Sequence, residues 1–217
     1  MKKHRALIFD LDGTLVDTLG DIAASMNRAL SQRGFPELPV KDFAQRVGWG
    51  SRRLAYLCLP EEVRNEDLAA QISEEATVYY AQEPLVHSRV YPGILEAVAA
   101  LGQKKIITAV LTNKPDPVAQ KVIAGLFGPQ AFTIVQGEVP GRARKPDPGA
   151  VWDMLVELGL NPADTIFFGD SEIDMETALA SGCYPLGCSW GYRSREAIME
   201  AGARRIIDDP AEILEFF

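Results

Sequence analysis

The sequence predicts an α/β protein, a doubly wound (Rossmann-like) parallel sheet carrying an inserted all-helical domain. Three observations carry that prediction. Leu7, Ile8 and Phe9 form an apolar run too short for a helix, and it breaks directly into Asp10, Leu11, Asp12 and Gly13, the pattern of a buried strand that ends abruptly. Residues 17–84 then show helical spacing with no convincing strand, whereas an ordinary alternating domain reaches its second strand after one crossover helix. From residue 94 onward helices and strands alternate regularly. The 217 residues therefore divide into a core of residues 1–16 and 85–217 and an insertion of residues 17–84.

Each element has a local reason. In the insertion, Ile22, Met26, Ala29 and Leu30 recur at helical spacing until Gly34, Phe35 and Pro36 end the helix. Val40, Phe43 and Val47 predict a short second helix, Gly48-Trp49-Gly50 a break, and residues 51–57 a third helix. The charged, periodic stretch 61–81 predicts one or two more, and linkers fall near Asp17 and between Pro84 and Pro92. In the core, helices are predicted at 94–101, 118–126, 151–158, 175–180, 195–201 and 211–217. Strands are predicted at 106–111, 132–135, 165–168, 185–189 and 204–207. Asp116-Pro117, Asp147-Pro148 and Asp209-Pro210 share one helix-start punctuation, a capping Asp followed by Pro at the first helical position.

Composition narrows the function classes. A hydrophobic content of 47% supplies a packed core, and a formal net charge of -8 argues against nucleic acid or an anionic membrane surface as partner. Cys58, Cys183 and Cys188 are few and odd in number, which suits a reducing compartment better than a disulfide framework. The MKKHR start lacks an apolar signal region and no segment reaches membrane-spanning length, so a soluble, cytoplasmic protein is expected. His4 and His87 have no motif around them and are expected at the surface.

In a doubly wound sheet, ligands bind beyond the carboxyl ends of the strands, so chemistry is sought there. Asp10 and Asp12 are two apart, which in extended backbone aims both at one face. Close carboxylates raise one another's pKa unless a cation separates them, so the pair implies a metal or a shared proton. The second core strand ends in Thr112, Asn113 and Lys114, and a hydroxyl beside backbone N–H groups at a helix entrance makes a phosphate site. The basic loop Gly141–Pro148 offers Lys145 before a helix on the same edge, where a cation neutralises carboxylates and phosphoryl oxygens together. The run Thr165–Phe168 breaks into Gly169-Asp170-Ser171-Glu172-Ile173-Asp174, whose Asp170 and Asp174 complete an oxygen-rich set suited to Mg²⁺.

Taken together, FDLDGTLVDT at the first strand, Thr112, Lys145-Pro146 and GDSEID resemble, in order, the four motifs of the haloacid dehalogenase superfamily of phosphotransferases. The resemblance implies an enzyme with Asp10 as nucleophile and Asp12 as general acid and base. It further implies Thr112 as the second-motif hydroxyl, Lys145 as the third-motif cation and Asn113 at the phosphate site. Mg²⁺ is then the cofactor, held by Asp10, the Asp12 backbone carbonyl and Asp170, with Asp174 in support. The helical insertion resembles the cap of phosphoglycolate phosphatase-like members, as do TNKPDP, Gly137-Glu138 and Gly191-Tyr192-Arg193. Within that cap, Gly48–Leu54 carries Arg52 and Arg53, which are expected to meet an anionic substrate tail. The expected activity is Mg²⁺-dependent hydrolysis of a small phosphorylated metabolite, 2-phosphoglycolate foremost, by a monomer or homodimer. A phosphomutase or a pyrophosphatase of the same superfamily is the alternative, since it would share all four motifs, and a phosphonate hydrolase would need a cap lysine, of which Lys41 is the one available. A non-enzymatic phosphate-binding protein would leave four intact acids unexplained.

Overall fold

A computed structural model describes residues 4–217. The core strands are β1 (Ala6–Phe9), β4 (Ile107–Pro115), β5 (Ile134–Glu138), β6 (Thr165–Gly169), β7 (Tyr184–Cys188) and β8 (Arg205–Ile207), and the linker strands are β2 (Val16–Asp17) and β3 (Arg89–Val90). The helices are α1 (Leu19–Gln32), α2 (Ser51–Cys58), α3 (Glu66–Gln82), α4 (Ile94–Gln103), α5 (Asp116–Leu126), α6 (Gly149–Leu158), α7 (Glu172–Ser181) and α8 (Arg195–Glu200). The core sheet is six-stranded in the order β5-β4-β1-β6-β7-β8 with every pairing parallel. Among core strands counted along the chain this is the 3-2-1-4-5-6 order, and it reverses direction at β1.

Alternation along β1 distributes the two layers. Leu7 and Phe9 pack with Ile94, Leu101, Val118 and Val122 of α4 and α5, whereas Ala6 and Ile8 pack with Val151, Met154 and Ala178 of α6 and α7. Burial on both faces explains why the strand reads as a continuous apolar run. Phe9 and Phe168 meet edge to face, centroids 5.8 Å apart at 78°, so two strand ends that carry carboxylates stand on one rigid aromatic contact.

The inserted segment contains α1, α2 and α3. Its second predicted helix is a 3₁₀ turn, Val40–Phe43, and the 61–81 stretch resolves into a 3₁₀ turn at Glu61–Val63 followed by α3. The two linkers pair as an antiparallel ribbon, Val16 with Val90 and Asp17 with Arg89, which the sequence did not signal because each strand has two residues. Buried Asp21 ties that ribbon to α1, accepting hydrogen bonds from His87 N (2.8 Å), Ser88 N (2.8 Å) and Ser88 Oγ (2.6 Å).

Several core boundaries move, among them the start of α7, which lies at Glu172. β4 runs through Thr112, Asn113 and Lys114 to Pro115, with a register irregularity between Leu111 and Pro115. β5 starts at Ile134 and continues to Glu138, because Gly137 lets it approach β4: a Cβ there would lie 2.6 Å from the Lys114 carbonyl oxygen. The closing helix is the 3₁₀ segment Pro210–Phe216. Asp209 caps that segment and Asp147 accepts from Gly149 N at 2.8 Å, but Asp116 does not cap α5 and instead accepts from Gly137 N at 2.8 Å. His87 is exposed, whereas His4 is half-buried against the Tyr184 ring, centroids 5.2 Å apart.

Candidate active site

The carboxyl edge of the sheet, at the reversal of strand order, carries the candidate residues. Asp10 follows β1, Thr112 to Lys114 end β4, Asp170 follows β6, Asp174 lies in the first turn of α7, and Lys145 precedes α6. Among the described residues Asp10, Asp170 and Asp174 form a group of buried carboxylates with one oxygen from each within 4.8 Å of the others. Lys145 is set into this group, its Nζ 2.8 Å from Asp10 Oδ1 and 2.7 Å from Asp174 Oδ1.

Backbone and neighbours explain how the group is held. Gly13 adopts φ +85°, and a Cβ there would lie 2.4 Å from Asp170 Oδ2, so the turn after Asp12 needs glycine both for its conformation and for the space. Asp170 accepts from Thr14 Oγ1 (3.0 Å) and from Tyr192 N (2.7 Å). Asp174 accepts from Ser171 N (3.1 Å) and Ser171 Oγ (2.6 Å) as well as from Lys145. Its oxygens are therefore engaged in holding the helix start and the lysine.

Electrostatics point the same way. Burial, with Asp174 and Asp170 adding to it against Lys145, pushes the Asp10 carboxyl up to about 8. Burial and Asp174 push Asp170 up to about 7 against the Tyr192 N–H and Thr14. Three buried carboxylates against one ammonium leave an excess of two negative charges, which a dication offsets. Because every donor is an oxygen, the set fits Mg²⁺. Lys145 itself is raised above its ordinary range by Asp10 and Asp174, whose attraction outweighs the opposing burial.

Asp10 and Asp12 do not share a partner. Both line the one cleft although β1 itself ends at Phe9. Asp12 accepts instead from Lys114 Nζ (2.7 Å) and Thr18 Oγ1 (2.6 Å), and any ligation from Asp12 falls to its backbone carbonyl. Lys114 also donates to Tyr80 OH of α3 at 2.8 Å. In the extended end of β4, Thr112 and Lys114 are two residues apart and so share a side, a signal in the sequence that identifies Lys114 alongside Thr112.

The structure places the two cap arginines away from where the sequence led one to expect them. Arg52 and Arg53 do not line the cleft: Arg52 is exposed and pairs with Glu66 at 3.1 Å, and Arg53 lies over the Tyr56 ring at 5.0 Å. Both sit on the outer face of α2, while Ser51 and Leu54 of that helix face the cleft. Asn113 lines the cleft with its side chain engaged by protein partners: its amide donates to Gly48 O (2.9 Å) and Lys145 O (3.1 Å) and its oxygen accepts from Lys145 N (3.0 Å). It positions the lysine and touches the cap. The cap-facing arginine is Arg193, which pairs with Glu172 at 3.2 Å and donates to Ala44 O and to Val47 O, the latter at 2.7 Å.

A doubly wound sheet whose reversal point holds buried carboxylates around a lysine, under an inserted helical cap, defines the class. The haloacid dehalogenase-like hydrolase family model matches residues 7–187, and the chain belongs to that family. Its curated relatives include the phosphoglycolate phosphatase of Haemophilus influenzae strain 86-028NP, 32% identical over 95% of each chain. That of Rhodospirillum rubrum is 33% identical over 96% of this chain and 89% of the relative. Among solved structures, a predicted phosphoglycolate phosphatase from Haemophilus somnus 129pt superposes with a TM-score of 0.89 at 30% identity, covering 99% of this chain and 98% of that one. Within the family the chain is thus a phosphatase of the phosphoglycolate phosphatase-like group. No helix of the described residues is long and apolar enough to cross a membrane.

Proposed function

We propose that this enzyme hydrolyses the phosphate ester of a small carboxylic acid, 2-phosphoglycolate, through a phosphoryl group carried on Asp10. The observation that carries the reading is Lys145 Nζ at 2.8 Å from Asp10 in a cleft closed by the cap. The attacking carboxylate and the cation that offsets phosphoryl charge are held together by buried partners.

Asp10 Oδ attacks phosphorus in line and the ester oxygen leaves with a proton supplied by Asp12. Water then attacks the aspartyl phosphate, its proton passing to Asp12, and phosphate is released with Asp10 regenerated. Lys145 neutralises charge on both the nucleophile and the transferring group, and the Thr112 hydroxyl, buried at the end of β4, offers a donor to a phosphoryl oxygen. Asp10, the Asp12 carbonyl and Asp170 are the groups to hold Mg²⁺, which when bound supplies positive charge to the phosphoryl oxygens. Asp174 keeps Lys145 in place. The cap wall of the cleft, with Ile22, Met26 and Leu54, excludes water and limits the leaving group to a small one.

A panel of phosphorylated metabolites assayed with Mg²⁺ tests the reading. Phosphate release is expected to be fastest from 2-phosphoglycolate. Conversion of a hexose 1-phosphate to its 6-phosphate with little free phosphate would contradict it and indicate a mutase.

A further inference from the structure

We propose that Lys114 recognises the carboxylate of the substrate. This rests on the small-acid reading above and assigns that specificity to one side chain.

Three cationic side chains line the cleft among the described residues, Lys114, Lys145 and Arg193. Lys145 lies between Asp10 and Asp174, at 2.8 and 2.7 Å. Arg193 is committed to Glu172 and to cap carbonyls. Lys114 Nζ has one carboxylate neighbour, Asp12 Oδ1 at 2.7 Å, and one neutral neighbour, Tyr80 OH at 2.8 Å. An ammonium carries three donors, so these two bonds leave one N–H for a ligand. The side chain is 2% exposed, and a charge-assisted hydrogen bond made there is little screened by water.

Position selects the length of the acid. A leaving oxygen that receives its proton from Asp12 stands about 2.7 Å from that carboxylate, and Nζ stands 2.7 Å from Asp12 Oδ1. The carboxyl carbon of a glycolate ester begins roughly 2.5 Å beyond the ester oxygen by ordinary bond lengths. A two-carbon acid therefore brings its carboxylate to the ammonium while its phosphate faces Asp10 and Lys145. The cap side of the cleft adds no further cation: it presents Ile22, Met26, Leu54 and Ala76 together with the hydroxyls of Ser25, Ser51 and Thr77, of which Ser25 and Thr77 donate to backbone carbonyls. Tyr80 belongs to α3 of the cap and Lys114 to β4 of the core, so the carboxylate subsite is complete only with the cap seated.

The test compares 2-phosphoglycolate with 2-hydroxyethyl phosphate, an ester of the same length with a neutral tail, in the wild type, Lys114→Gln and Lys114→Met. Loss of the Asp12 partner slows both substrates alike and cancels in the ratio of their kcat/KM values. The ratio of acid to neutral ester is expected to fall about ten- to a hundredfold in the variants, chiefly through KM for the acid. The same selective loss is expected when binding of the two esters is measured calorimetrically in an Asp10→Asn background. A wild type indifferent to the carboxylate overturns the small-acid reading itself. A wild type that prefers the acid, with folded variants that keep the preference, overturns the assignment to Lys114 alone. Should both neutral variants fail to fold, Tyr80→Phe decides: a rise in KM for the acid of threefold or more, without an equal rise for the neutral ester, supports the subsite, and equal rises overturn it.

Discussion

Lys145 donates to Asp174 at 2.7 Å from a loop 29 residues earlier, and that ion pair sets the ammonium beside Asp10. Lys145→Met is expected to lower kcat by about a hundred- to a thousandfold, the scale on which single charge-stabilising donors act. It should also lower stability by about 3 to 5 kcal/mol, because its carboxylate partners remain buried. Steady-state kinetics and urea denaturation check both. A variant with near-normal kcat would remove Lys145 from the chemistry.

The raised carboxyls predict a pH dependence. Asp10 and Asp170 titrate near 3.8 in the unfolded chain and near 8 and 7 in the metal-free fold. Between those limits the folded state binds more protons than the unfolded one. The stability they confer is therefore present at low pH and lost as pH rises through about 7 to 8. Mg²⁺ competes with those same protons. The melting temperature of metal-free protein should fall between about pH 5.5 and about pH 8.5, and the increase produced by Mg²⁺ should be largest at the upper end. A Mg²⁺ shift independent of pH would contradict the carboxylate site.

Arg193 straps the cap to the core through Val47 O at 2.7 Å while paired to Glu172 at 3.2 Å. Arg193→Ala should lower kcat/KM about tenfold or more by unseating the 44–50 loop, with a much smaller loss in global stability. Limited proteolysis should cut that loop faster in the variant. Unchanged kinetics and unchanged cleavage would show that the strap has no functional part.

Arg52 and Arg53, by contrast, face away from the cleft, and the Arg52–Glu66 pair is half exposed. Surface pairs of this kind contribute about 1 kcal/mol or less. Alanine at either position should alter kcat/KM less than about threefold on acidic and neutral substrates alike. A selective loss on the acid would return the carboxylate contact to α2.

Much of this arrangement is legible in the sequence, and the exceptions have physical causes. The buried strands read as apolar runs because both sheet faces are covered, and their abrupt ends at Asp10 and Asp170 mark the functional edge. The β2–β3 ribbon was invisible because two residues carry no periodicity. The orientation of the cap arginines is not legible in the sequence, because charge and a glycine-flanked turn say nothing of which helix face meets the cleft, and Ser51 and Leu54 take that face. Lys114 stands two residues after Thr112 in one motif, and its contact with Tyr80 spans 34 residues that only the folded cap brings together.

Asp10, the proposed nucleophile, pairs with Lys145, and Asp12, the proposed proton carrier, pairs with Lys114. Rapid-quench trapping of phosphoryl-enzyme tests that division most directly, using an acyl phosphate whose leaving group needs no proton. Asp12→Asn is expected to form a phosphoryl-enzyme that decays slowly, and Asp10→Asn to form none. A phosphorylated Asp10→Asn protein, or one that retains substantial turnover, would contradict the account.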